Sequence, residues 1–155
     1  MEEVCFTREA ALARAVEMET RSFEEYKAAY LNSKNIIAKD LLKDLALDEL
    51  KHKYTLEKAF FEETVSLHAS GLLHGPDMKF TLLFEDRSLG KNSTEQDVFL
   101  HAIHEEKRAF DFYSRAAEQC VGAPMESMFK RLAQDEESHL FRMQELYEKL
   151  YLKEM

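Results

Sequence analysis

Apolar residues recur every three or four positions along four separate stretches of the chain, which is the periodicity of amphipathic helices. We therefore predict four helices, of which the second continues to about residues 67–69 and the third ends near residue 121. Residues that favour the start of a helix precede or open each stretch. They are Thr7, Asn35, Ser93 or Thr94 with Gln96 or Asp97, and Pro124.

Charged residues interrupt the apolar stripes at matching places. The first and third stripes each contain one glutamate, and the second and fourth each contain a Glu-x-x-His motif. Residues three positions apart share a helix face, so each motif presents a carboxylate and an imidazole side by side. The residues concerned are Glu19, Glu49, His52, Glu106, Glu136 and His139.

The second half of the chain repeats the first. Sliding residues 13–60 onto 100–147 without a gap gives 12 identities in 48 positions, and both motifs read Leu-Ala-x-Asp-Glu-x-x-His. This pattern predicts a duplicated helical hairpin, and hence one all-α domain that is an antiparallel four-helix bundle. Its predicted parts within residues 1–155 are hairpin 1 (about 8–70), a glycine-containing crossover (71–94) and hairpin 2 (about 95–152).

The spacing of the glutamates predicts their height in the bundle. Glu19 and Glu49 are 30 residues apart, with their midpoint at Lys34 in the predicted turn, and Glu106 and Glu136 have the same separation. In an antiparallel hairpin, residues equidistant from the turn lie at the same level. We therefore expect all four carboxylates to meet in the middle of the bundle.

Four buried carboxylates require positive charge nearby, because removing each one from water costs several kcal/mol. Two divalent cations balance four carboxylates, and this combination of side chains on four helices is the ligand set of di-iron and di-manganese bundles. We expect two Fe ions, with Mn or Zn as possible substitutes. Glu49 and Glu136 are predicted to bridge both metals, with Glu19 and His52 at one end and Glu106 and His139 at the other.

An aspartate directly precedes each bridging glutamate and could accept a hydrogen bond from the histidine of the facing helix, which would orient that imidazole. The predicted pairs are Asp48 with His139 and Asp135 with His52.

Two tyrosines, Tyr26 and Tyr113, lie two helical turns beyond the glutamates of the first and third stripes. Their hydroxyls could donate to a ligand carboxylate; alternatively, they are core aromatics whose hydroxyls reach the rim.

His68 and His74 have no carboxylate neighbour at ligand spacing and are interpreted as surface or packing residues. His101 and His104 lie three positions apart, but Glu106 faces elsewhere, so both are interpreted as surface residues.

Composition narrows the range of partners and compartments. The net charge is 21 − 30 = −9, which opposes binding to nucleic acid or to an anionic membrane surface, and we expect neither partner. No signal peptide or long apolar run is apparent. Cys5 and Cys120 form no Cys-x-x-Cys pair, so they indicate neither a thiolate metal site nor a disulfide framework. These features favour the cytoplasm.

The doubled pattern Glu19…Tyr26…Asp48-Glu49-x-x-His52 resembles the ferritin-like di-iron carboxylate superfamily, and most closely its rubrerythrin branch. The resemblance implies a bundle of ferritin-like type with a long crossover. It also implies a non-haem di-iron centre that reacts with hydrogen peroxide or O2, often in a homodimer.

The chain departs from rubrerythrins in two respects. Rubrerythrins commonly carry a rubredoxin domain with paired Cys-x-x-Cys motifs, which this sequence lacks, so turnover is expected to need a separate redox protein as electron donor. Rubrerythrins also place an additional glutamate on the third helix, where this chain has Ile103 and Ala109. The ligand set is therefore closer to the bacterioferritin type.

Several functions remain open from the sequence. The first is a peroxidase or oxidase with an external electron donor, acting in oxidative stress. The second is an iron-binding, ferroxidase or iron-storage protein without substrate turnover. A di-iron oxygenase or hydroxylase would need an apolar channel to the metals, and a metal-free bundle with a polar core is the fourth alternative.

Overall fold

Four long helices make up the regular structure of the residues that are described. The computed structural model describes residues 8–62, 89–120 and 125–152, and no strand is present in those ranges. This architecture confirms the predicted all-α bundle. The predictions for Thr7, His68, His74, Pro124 and residues 71–88 fall outside the described ranges. The helices are α1 (Arg8–Asn32), α2 (Ile36–Lys58), α3 (Glu95–Gln119) and α4 (Glu126–Tyr147), which continues into a π-helical turn (Glu148–Leu152).

Side-chain caps start α2 and α3 where the sequence predicts them. The Oδ1 atom of Asn35 accepts hydrogen bonds from the backbone N–H groups of Ile37 and Ala38, each at 3.0 Å. The hydroxyl of Thr94 accepts from the N–H of Asp97 at 3.1 Å, and the Asp97 carboxylate accepts from the N–H of Thr94 at 3.0 Å. These bonds satisfy N–H groups that have no partner inside a helix.

The end of α2 differs from the prediction. The helix ends at Lys58, not at residues 67–69, so that prediction is wrong. The backbone N–H groups of Phe60 and Phe61 donate to carbonyls only three residues earlier, which tightens the last turn. Phe61 is 90% exposed, so the apolar stripe no longer faces the core at this point. The sequence does not reveal the stop because Phe60 continues the helical spacing.

The apolar core consists of two clusters at opposite ends of the bundle. One joins the first half of α1 and the last turns of α2 and α3 to the start of α4, and the other joins the remaining halves. Helices α1 and α4 therefore run parallel to each other and antiparallel to α2 and α3. The last turn of α2 and the first turn of α3 therefore lie at opposite ends of the bundle. The clusters include Leu12, Leu56, Phe112 and Phe129, and Tyr26, Leu42, Ile103 and Met143, respectively.

Cys120, the residue that follows α3, is buried and disulfide-bonded. The expectation that the cysteines form no disulfide is therefore wrong. The chain's two cysteines, Cys5 and Cys120, are 115 positions apart in the sequence, so a search for closely spaced cysteine pairs could not indicate a disulfide at Cys120. No helix in the described part of the chain is sufficiently long and apolar to cross a bilayer. The cytoplasmic location stays a prediction.

Candidate metal centre

Six ionisable side chains occupy a layer between the two apolar clusters. Each is at most 7% exposed, although carboxylates and imidazoles are rarely buried without partners. They come from all four helices, as the duplicated pattern predicts. They are Glu19 on α1, Glu49 and His52 on α2, Glu106 on α3, and Glu136 and His139 on α4.

These side chains form two groups that share two members. In each group the four residues offer one ligand atom each, and the four atoms lie within 4.8 Å of one another. Glu49 and Glu136 belong to both groups, which is the arrangement expected of carboxylates that bridge two metal ions. Glu19 and His52 complete one group, and Glu106 and His139 complete the other. The assignment of the six residues as metal ligands remains a prediction.

The two imidazoles lie on the same side of the site, with their ring centroids 5.8 Å apart and their planes inclined by 20°. The Nε2 atom of His52 lies 3.0 Å from Asp135, and that of His139 lies 3.1 Å from Asp48. These are the aspartates that the repeat predicts as their partners. Each contact joins α2 to α4 and fixes the orientation of one ring.

The other nitrogen of each imidazole faces the buried carboxylates. His52 Nδ1 is 3.0 Å from Glu136 Oε1, and His139 Nδ1 is 2.9 Å from Glu49 Oε1. When Nε2 donates its proton to an aspartate, Nδ1 of the neutral ring carries a lone pair. A lone pair directed at a carboxylate oxygen is repulsive, so a proton or a cation has to lie between them.

Two tyrosine hydroxyls donate hydrogen bonds to the glutamates of the opposite hairpin. Tyr26 on α1 donates to Glu106 on α3, and Tyr113 on α3 donates to Glu19 on α1 at 2.6 Å. Burial raises the pKa of both hydroxyls, and the neighbouring carboxylate charges raise it further. Both tyrosines therefore keep their protons and act as hydrogen-bond donors at neutral pH.

Without metal, the centre retains protons. Burial raises the pKa of Glu49 and Glu106, and repulsion from Glu136 raises it further. The pKa of Glu136 is lowered, because hydrogen bonds from Glu106 and the two imidazoles outweigh the effect of burial.

The imidazoles take up protons for a related reason. Burial lowers the pKa of His52, but hydrogen bonds to Asp135 and Glu136 outweigh burial and raise it well above its ordinary value. The pKa of His139 is raised in the same way, with Glu106 and Asp48 opposing the effect of burial. The protons on these groups occupy the place that divalent cations would take.

Unpaired polar atoms test whether this layer fits a pair of metals. Among the described residues, seven buried nitrogen and oxygen atoms of these six side chains have no hydrogen-bond partner outside the centre. Such atoms are costly inside a protein unless another ligand satisfies them. Mixed carboxylate oxygens and imidazole nitrogens suit divalent Fe, Mn or Zn. The residues present therefore fit two such ions.

One feature near the centre was not predicted from the sequence. A cavity of about 520 Å³ opens between α1 and α3, and Tyr26 and His101 are among the residues that line it. The sequence predicts His101 and His104 as surface residues; both are instead partly buried, and His101 lies 3.5 Å from Glu25. None of the six residues of the centre lines this cavity. The sequence could not predict this cavity, because a cavity produces no periodic pattern of residues.

Comparison with known proteins identifies the family to which the chain belongs. The model of one protein family, Rubrerythrin, matches residues 10–147, which include the four helices almost entirely and all six residues of the centre. Searches of curated proteins and of solved structures returned no match. Because the matched region covers most of the 155 residues, the chain belongs to the rubrerythrin family.

Proposed function

We propose that this protein is a non-haem di-iron oxidoreductase that reacts with hydrogen peroxide or O2 and is reduced again by a separate redox protein. The observation that carries the proposal is the pair of buried four-residue groups that share Glu49 and Glu136. Four glutamates supply four negative charges, which two divalent cations neutralise. Two ferrous ions held there would supply one electron each to the oxidant.

The side chains of the centre are arranged to bind two metal ions and to tolerate a change in the charge of those ions. Glu49 and Glu136 belong to both groups, so each would help to hold both cations. His52 and His139 are held by Asp135 and Asp48, and a carboxylate partner increases the basicity of an imidazole ligand. Both rings are therefore held in a fixed orientation, with the other nitrogen directed at the place that the cations would take.

Tyr26 and Tyr113 hold protons next to the terminal glutamates. Their hydroxyls donate to Glu106 and Glu19, and their raised pKa keeps both phenols protonated. Reduction of peroxide or O2 consumes protons, so a phenol hydrogen-bonded to a ligand carboxylate is suitably placed to pass one. The two apolar clusters exclude bulk water from the same layer.

A ferroxidase role without substrate turnover is the second candidate, and one observation favours it. The positions one helical turn to either side of Glu106 are occupied by Ile103 and Ala109, which are both buried and apolar. No fifth carboxylate for the centre is therefore available from these positions. The cavity beside Tyr26 gives no comparable support to an oxygenase, because no residue of the centre lines it.

The first experiment measures metal content and reactivity. Protein purified without chelator should contain close to two equivalents of Fe, Mn or Zn per chain; fewer than one equivalent would contradict the di-metal proposal. The ferrous protein is then mixed anaerobically with hydrogen peroxide or with O2 while near-ultraviolet absorbance is followed. A faster response to peroxide, with repeated turnover when a reductant is present, supports a peroxidase. Equal and slow responses argue against it, and consumption of Fe²⁺ without turnover supports the ferroxidase.

A matched pair of variants tests the role of a shared glutamate. Glu136→Gln keeps the shape of the side chain but removes one of the four charges, so we expect loss of one metal equivalent and of most of the absorbance change. Glu145→Gln changes an exposed carboxylate on the same helix and should leave both quantities unaltered. Equal behaviour of the two variants would contradict the assignment of Glu136.

A further inference from the structure

The cavity between α1 and α3 is large enough to hold a small organic molecule. Its volume of about 520 Å³ falls within the range of ligand sites in proteins, roughly 300–1,000 Å³. It lies at the end of the bundle where α1 ends and α3 begins, and Leu89, Gly90 and Lys91, just before α3, form part of its wall. No residue of the metal centre lines it, so a ligand in this cavity is separate from the metal site.

The inner wall of the cavity is apolar. Tyr26 on α1, Leu42 on α2 and Phe99 on α3 all line it and are at most 4% exposed. Leu89 lines the same cavity and is 42% exposed, so this leucine has apolar surface that a ligand would cover. Transfer of an apolar group from water to such a wall is favourable. A ligand that fits this wall therefore has an apolar body.

The polar part of the cavity carries an excess of negative charge. Three carboxylates and one ammonium group line the cavity, so its net charge is 1 − 3 = −2 with histidine neutral. Glu105 already pairs with Arg21, at 3.2 Å, and with Arg108. The other two carboxylates, Glu25 and Glu95, form no ion pair with a lysine or arginine in the ranges that the structure describes. Their charge favours a cation in the cavity.

Glu95 is the carboxylate best placed to hold a cation beside the apolar wall. It is partly buried in the first turn of α3, and its Oε1 atom accepts a hydrogen bond from the hydroxyl of Ser33 at 3.3 Å. Phe99 follows four residues later on the same face of the helix, so the carboxylate and the aromatic ring line one side of the cavity together. A partly buried carboxylate attracts a cation more strongly than an exposed one, because less water screens the interaction.

The carboxylates of the cavity are too widely separated to hold a metal ion. Among the described residues, the groups that bring at least three potential ligand atoms within 4.8 Å of one another are the two of the metal centre. Glu25, Glu95 and Glu105 belong to neither group. Separated charges beside an apolar wall instead match an organic cation, in which the charge and the apolar body occupy different places. An anionic molecule such as a nucleotide would be repelled by the same charges.

From this wall and its charges, we infer that the cavity is a binding site for a small organic amine, whose ammonium group contacts Glu95 and whose apolar body packs against Leu42 and Phe99. Tyr26 lines the same cavity and donates a hydrogen bond to Glu106, so the bound amine lies one side chain away from the metal centre. This binding does not depend on the proposed oxidoreductase activity, because none of the residues that contact the amine belongs to the centre.

Titration calorimetry with three probes of similar size and different charge tests this site. Phenethylamine is a cation at neutral pH, phenethyl alcohol is neutral and hydrocinnamate is an anion. The purified protein, in phosphate buffer free of other amines, should bind one equivalent of phenethylamine per chain. Phenethyl alcohol should bind roughly tenfold more weakly, since it lacks the charged hydrogen bond to Glu95, and hydrocinnamate should not bind detectably. The same order is expected after metal has been removed with a chelator, which separates this result from that of the proposed function.

Variants of the lining residues locate the bound amine. Glu95→Gln keeps the size of the side chain but removes its charge, so the affinity for phenethylamine should fall roughly tenfold while that for phenethyl alcohol stays the same. Glu118→Gln changes an exposed carboxylate near the other end of α3 and is the matched control, in which both affinities should be unaltered. Ala29→Leu places a larger side chain in the wall of the cavity and should weaken the binding of both probes. Circular dichroism of every variant shows whether the helices remain intact.

Several outcomes would contradict this assignment. No heat of binding with phenethylamine up to roughly 10 mM would show that the cavity does not bind amines. Equal affinities for phenethylamine and phenethyl alcohol would show that the carboxylates do not select a cation. A Glu95→Gln variant that behaves like Glu118→Gln would exclude the contact between Glu95 and the ammonium group. Undiminished binding to an Ala29→Leu variant with intact helices would place the whole site elsewhere.

Discussion

Each histidine of the centre has two nitrogens with different surroundings, and this difference defines its role. The Nε2 atom of His139 contacts Asp48, which is 37% exposed at its side chain, whereas Nδ1 points into a layer that excludes water. The pKa of Asp48 is lowered, chiefly by its hydrogen bond with His139. The aspartate therefore remains charged and holds the ring with Nδ1 available for a cation.

Removing the charge of Asp48 should weaken metal binding at the neighbouring imidazole. Asp48→Asn keeps the size of the side chain but loses the carboxylate that orients His139, and such changes typically cost 10- to 100-fold in metal affinity. The affinity is measured by competition with a chelator of known strength, using Mn²⁺ under anaerobic conditions. Asp44→Asn, on the same helix and ion-paired with Arg142 at 3.2 Å, is the control and should bind Mn²⁺ normally. Equal affinities would show that Asp48 does not orient the ring.

Among the elements of the structure, the two hairpins show how far spacing alone can predict a site. Glu19 and Glu49 meet because equal distances from the turn give equal heights, and this rule needs only the sequence. The reach of Tyr26 to Glu106 depends on how α1 and α3 are rotated about their axes, which spacing does not determine. The caps at Asn35 and Thr94 were predictable because capping is local. The early end of α2 was not, because Phe60 continues the helical spacing beyond Lys58, the last residue of the helix.

The cap of α2 should contribute measurably to stability. Asn35 satisfies two N–H groups of the first turn, so Asn35→Ala should lower the free energy of unfolding by about 1 kcal/mol. Urea unfolding followed by circular dichroism measures this difference. Lys34→Ala changes the exposed neighbouring residue and should have an effect within about 0.5 kcal/mol. A similar loss in both variants would mean that the turn, and not the cap, is sensitive to substitution.

On the scale of the whole molecule, two apolar clusters enclose a polar layer that needs either protons or cations. The clusters fix the heights and separations of the helices, so the layer cannot expand to relieve repulsion among Glu19, Glu49, Glu106 and Glu136. The folding stability of the metal-free protein is therefore linked to the protonation of this layer. When metal is bound, the folding stability should no longer depend on the protonation of these side chains.

The direction of the pH dependence follows from the raised pKa values. His52 and His139 titrate near 6.5 in the unfolded chain and well above that in the folded protein, so their contribution to stability is present below pH 6.5. It is lost as the pH rises through the folded values, because the folded protein then gives up protons that the unfolded chain has already released. Glu49 and Glu106 also have raised pKa values. Their contribution to stability is likewise lost as the pH rises, from about pH 4.5 upward. Glu136 and Asp48 have lowered pKa values and lose their contribution only at lower pH.

The metal-free protein should therefore be most stable in mildly acidic solution and less stable at each step from pH 6 to pH 9. The slope is on the order of 1.4 kcal/mol per pH unit for each proton that the folded state retains. Thermal unfolding in the presence of a chelator, compared with unfolding in excess Mn²⁺, measures the effect. With Mn²⁺ the decline should disappear, because the cations supply the positive charge and metal binding strengthens as the imidazoles lose their protons. A metal-free protein whose stability is constant or rises over this range would show that the layer is not held together by protons. The repulsion on which the di-metal proposal rests would then be absent.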